Sequence, residues 1–250
     1  MNARTHNDLL DAIADLYRTF KRYGPSEGFH SCSHCVSETE DAELKEKSLS
    51  ELTCDNLRRY AFKAMTTWGT VEDFKHFLPR ILELVGTSDD FPVDVEIAIG
   101  KLAYGDWRAW PVKERLAIEN FLETWWKDTL SRPLTDSTLS LADNVLCSVA
   151  QVVEQIAPYL SHWDLRSEVE SSLHLAAFVD WNFNSLYKHD CIHGAFWEEK
   201  GTMREAVEWL KRPATRERLE SQFLKHSDAP HAYLLSEAAQ KLDWWTSKYK

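Results

Sequence analysis

The sequence predicts an all-α protein, a multi-helix array of antiparallel helix pairs built as an irregular bundle or a HEAT-like stack. Three observations carry this. Apolar residues recur three and four apart along nearly the whole chain, the spacing of one helix face. No stretch alternates apolar and polar residues between turn signals, so strands have no support. Only eight glycines occur in 250 residues, which suits long helices with short connectors.

The first helix falls over about residues 5–22, where Leu9, Ile13, Leu16 and Phe20 share a face. Residues 24–52 break the pattern with Gly24, Pro25 and Gly28, a Cys/His loop, and an acidic run from Glu38 to Glu46. They read as an excursion from a single helical domain spanning 1–250. A helix begins after Thr53, and the next apolar run, Phe74 to Val85, contains Pro79. That proline should kink the helix or split it in two.

Ile118, Phe121, Leu122 and Trp125 follow Pro111, a good first-turn residue. Ala142 to Ile156 makes one long stripe ending before Pro158, and Leu165 to Ala176 makes another. Thr202-Met-Arg-Glu205 has the form of a capping box. Leu219 and Phe223 follow Pro213, and Leu235, Ala238, Leu242 and Trp245 close the chain. Helix pairs starting near 53, 93, 137 and 160 give a loose repeat without internal sequence similarity.

Composition excludes several functions. Hydrophobic residues are 44 % and charged residues 28 %, which marks a globular chain. A net charge of −11 argues against a nucleic-acid partner, since phosphate neutralisation needs a basic face. It suits a basic protein partner instead. The start, with Asp8, Asp11 and Asp15, lacks the apolar core of a signal peptide, and no apolar run spans a bilayer. The expectation is a cytoplasmic protein with no membrane partner, in which five cysteines favour metal or redox chemistry over disulfides.

"HSCSHC", residues 30–35, holds four possible metal ligands. Cys32 and Cys35 have the Cys-x-x-Cys spacing with which two thiolates grip one zinc ion from a tight turn. His34 or His30 supplies a third ligand. Cys54 is the candidate fourth, because a helix N-terminus after Thr53 stabilises a thiolate. Four protein ligands would close the site, making zinc a folding staple rather than a catalyst. A redox pair and inert loop cysteines are the alternatives.

A second cluster, "YKHDCIHG", holds His189, Asp190, Cys191 and His193. The His-Asp pair resembles the HD-type metal phosphohydrolases, which implies an upstream ligand at His162 or His174 and a downstream one at Asp228. The other readings are a polar inter-helix loop, or a loop whose Cys191 or His193 completes the first metal site.

Eleven tryptophans include the pairs Trp125/Trp126 and Trp244/Trp245. Neighbours 100° apart on a helix do not share a core line, so one of each pair should stand at an edge. Trp125, Trp244 and Trp245 are the candidate anchors for a partner.

"YAFKAMTTWGTVEDFKHFLPRILEL", Tyr60 to Leu84, with "CSHCVS" upstream, resembles a group of bacterial proteins of unassigned function over residues 25–85. That group carries Cys where His34 stands, an exchange expected of a zinc ligand. The resemblance implies no activity. The sequence therefore points to a non-enzymatic helical interaction module with structural zinc, in its narrower form an immunity or inhibitor protein for a basic partner. The rival is a hydrolase built on His189-Asp190.

Overall fold

Short polar residues write the helix starts of the first half of the chain. Ser37, Thr53 and Thr70 each accept the backbone N–H three residues on, from Glu40, Asn56 and Asp73. The side chain at that third position returns the bond to the cap, so two orphan donors are satisfied at once. The computed structural model describes residues 3–26, 29, 36–88, 94–197, 201–228 and 230–249. Within them it has twelve α-helices, two 3₁₀ turns and no strand, as the periodicity predicts. None of these helices is long and apolar enough to cross a membrane.

The chain divides into two compact units, His6–Trp125 and Trp126–Lys250 with Met1–Thr5. The first holds most of α1 (Ala3–Phe20), then α2 (Glu38–Glu46), α3 (Cys54–Lys63), α4 (Val71–Thr87) and α5 (Val95–Tyr104). It ends within α6 (Val112–Thr129). α1 and α4 are antiparallel: the Tyr17 hydroxyl donates to Glu83 at 2.5 Å, while just past the same C-terminal end of α1 the earlier α4 residue His76 donates to the Tyr23 carbonyl at 3.0 Å. Phe29, Tyr60, Trp68 and Phe77 form an aromatic core beside them.

Pro79 neither splits nor ends α4, which runs unbroken from Val71 to Thr87. Proline forfeits one backbone bond to Lys75, but Phe74, Phe77, Leu78, Ile81 and Leu82 are all buried on that helix. Their burial outweighs a single lost hydrogen bond. The acidic run of the excursion is α2, anchored by buried Leu44 and bridged outward by Lys45–Asp41 and Arg59–Glu40.

The second unit contains α7 (Leu141–Val152), α8 (Ala157–Leu165), α9 (Val169–His189), α10 (Gly201–Leu210), α11 (Pro213–Lys225) and α12 (Ala232–Ser247). α11 is antiparallel to α9, with Arg218 donating to Ser171 and Ser172 and Gln222 to the Ser167 carbonyl. It is antiparallel to α12 as well, through Arg216–Asp243 at 2.8 Å. α9 and α12 therefore run parallel, joined by Asp180–Lys241 near their middles and by Lys248 on the Tyr187 carbonyl toward their C-terminal ends.

Two sequence expectations fail here for one reason. The stripe from Ala142 to Ile156 is not one helix, because α7 stops at Val152 and Val153 is extended. Thr202-x-x-Glu205 is not a capping box, because α10 already starts at Gly201. Glu205 instead accepts the N–H of Ile156 at 3.0 Å and of Ala157 at 2.9 Å. Its carboxylate caps the start of α8, a helix nearly fifty residues away in sequence.

Candidate interaction site and metal-ligand positions

His30, Cys32, His34 and Cys35 lie outside the described residues. The residues that bracket them, Phe29 and Val36, are both buried in the first unit. Cys54 is the first residue of α3 after the cap Thr53, where the sequence reading puts it. Its thiol is half-buried and donates to the Ser88 hydroxyl at 3.7 Å. Cys54 and Cys191 are free thiols, and Cys147 is buried. Among the described residues, no three His, Cys, Asp or Glu side chains gather as a metal site.

The His189-Asp190 cluster is occupied by structural bonds. Asp190 ends α9 in the left-handed conformation, φ 52°. Its carboxylate accepts the Trp245 indole N–H at 2.7 Å and the Tyr249 hydroxyl. Burial alone would raise its pKa, but these bonds, with Lys211 and Lys248 nearby, hold it below the ordinary carboxylate range. The loop then turns inward: the His193 N–H donates to Asn182 Oδ1 at 2.7 Å, and Asn182 Nδ2 donates to Asp143 at 2.9 Å. Ile192 and Trp197 are buried on either side of Gly194.

His174 is a core residue. It is fully buried, and its Nε2 donates to the Arg132 carbonyl at 3.0 Å. Burial pushes its pKa down to about 4, so the ring is neutral.

The tryptophans are mostly core. Nine of the eleven are buried, and only Trp181 and Trp244 are exposed. Trp125 and Trp126 are both among the buried, against the expectation that one stands at an edge. Each belongs to a different unit and fills that unit's core. Trp125 stacks on Phe121, while Trp126 donates to the Tyr159 carbonyl and meets Trp163 edge-on. The same 100° argument works for the last pair, where Trp245 is fully buried and Trp244 is 67 % exposed.

Trp244 lines a groove of about 580 Å³ between α11 and α12. Phe223, Leu224 and Ala239 give it an apolar floor and wall, and Arg216, Glu220 and Asp243 add charge. Leu224 beside Trp244 is 80 % exposed, so the two make a contiguous apolar surface rather than a lone side chain. In the sequence Leu224 carries one signal, its place one residue beyond the α11 stripe of Leu219 and Phe223. A second groove, about 650 Å³ between α3 and α5, exposes Phe62 among Arg58, Arg59 and acidic side chains. Its Arg59 is already held by Glu40 through two contacts of 2.7 Å.

No protein-family model, curated protein or solved structure matches this chain.

Proposed function

We propose that the chain is a non-enzymatic helical protein-interaction module, in its narrower form an acidic inhibitor or immunity-type protein that binds a basic partner. The observation that carries the reading is Trp244, a large aromatic standing out of α12 beside exposed Leu224 in an open groove. Exposed tryptophan in an apolar setting is the residue type that dominates protein interfaces. The net charge of −11 supports a basic partner. In the same reading Cys32, Cys35, His34 and Cys54 hold one structural zinc, tying residues 30–35 to the start of α3.

Co-purification from the native cells with tagged chain, followed by re-binding of the purified partner, tests the interaction. The expected partner is a basic protein whose affinity weakens as salt rises. Small-molecule turnover without a protein partner would count against the reading. Metal analysis tests the zinc independently: one zinc per chain is expected, lost in Cys32→Ser and kept in Asp190→Ala. Metal kept in Cys32→Ser and lost in Asp190→Ala would favour the hydrolase. A metal-free chain removes the zinc and leaves the interaction standing.

A further inference from the structure

The geometry points to the α11/α12 groove as the seat of an amphipathic helix from the partner, with Lys or Arg flanking its apolar stripe; this rests on the interaction reading above. Three features on the groove argue for that occupant. Its walls are two antiparallel helices contributing residues at helical spacing, Arg216, Glu220 and Leu224 from one and Ser236, Gln240 and Trp244 from the other. A channel between two such ridges accepts a third helix by ridges-into-grooves packing. Its apolar contacts, Phe223, Leu224, Ala239 and Trp244, match a stripe repeating at three and four residues.

Charge decides the sign of the flanks. Arg216 contacts Asp243 at 2.8 Å and Glu220 at 3.7 Å, so one guanidinium serves two carboxylates. Both carboxylates are about half exposed, with side-chain exposures of 45 % and 50 %. Each keeps acceptor capacity facing the channel, and the lining carries an excess negative charge. Glu217 and Glu237 stand exposed on the same two helices, with Lys225 the exposed cation at the end of α11. A helix with acidic flanks would meet like charge there, whereas lysines would find acceptors.

The test uses the full chain and three synthetic helical peptides with one leucine stripe and Lys, Gln or Glu at the flanks. Binding is read from the Trp244 indole resonance, assigned by its loss in Trp244→Phe. The Lys peptide should shift that resonance, the Gln peptide should bind more weakly, and the Glu peptide should leave it unmoved. Leu224→Asp should weaken the Lys peptide by about tenfold or more. Glu220→Gln with Asp243→Asn should remove most of the Lys-over-Gln preference. All these residues are at least partly exposed, so thermal melts should stay unchanged and separate lost binding from lost fold.

No Trp244 shift with the Lys peptide, equal shifts with all three, or an indifferent Leu224→Asp variant would overturn the proposal. Concentration-dependent dimerisation abolished by Leu224→Asp would overturn it in favour of a second copy of this chain. A purified native partner that binds Leu224→Asp as tightly as wild type would sink the groove while leaving the interaction reading intact.

Discussion

In the second unit, burial disfavours the charged form of both Asp143 and His174, yet the two shifts act on stability in opposite directions. Asp143 is 7 % exposed, and its pKa is pushed up to about 6 by burial, which outweighs Asn182, Trp197 and His193. Between 3.8 and about 6 the folded chain binds the extra proton, so this group's share of stability falls as pH rises through that window. His174, lowered to about 4, does the reverse: between 6.5 and 4 the unfolded chain binds more protons, and stability falls as pH falls. The expected outcome for Asp143→Asn is a gain of roughly 1–3 kcal/mol above pH 6 that shrinks toward pH 4. His174→Gln should lose less stability than wild type between pH 6.5 and 4. Urea unfolding at several pH values checks both. Gly69 supplies a third case. It has φ +72°, and a Cβ there would lie 3.0 Å from both Asp73 and Phe29. Gly69→Ala should cost about 1–3 kcal/mol in the same measurement.

At the scale of elements, helix starts divide into those a local motif explains and those it does not. The Ser37, Thr53 and Thr70 boxes lie within four residues and are legible as text. Thr53→Ala should cost about 1 kcal/mol, the ordinary worth of such a cap. Glu205 has the same look at the start of α10 but serves α8. Hydrogen exchange separates the two roles. Glu205→Ala should lose protection at the Ile156 and Ala157 amides, with little change at the first turn of α10. The opposite result would restore the local box.

For the whole molecule, acidity and the groove make separable statements about binding. If the partner is basic, long-range attraction should raise its association rate, and stopped-flow mixing should show that rate falling about tenfold from low to physiological salt. Dissociation should respond to Leu224 and Trp244 instead, because short-range apolar contact sets the off-rate. A salt-insensitive on-rate would remove the basic-partner argument while leaving the groove.

Local spacing along the chain is enough to give a helical fold, the helix starts after Thr53 and Pro111 and at Pro213, and an outward face for one of Trp244 and Trp245. Those features follow from 3.6-residue periodicity and from cap and proline signals at the first turn. Packing between distant segments is what keeps Pro79 inside one helix, breaks the Ala142–Ile156 stripe at Val153, and buries both Trp125 and Trp126. It also makes Asp190 the acceptor of Trp245 and Tyr249, and exposes Leu224 beside Trp244. Each of these depends on groups far apart in sequence. A spacing rule reports which face a residue occupies, and only packing reports whether another surface covers that face.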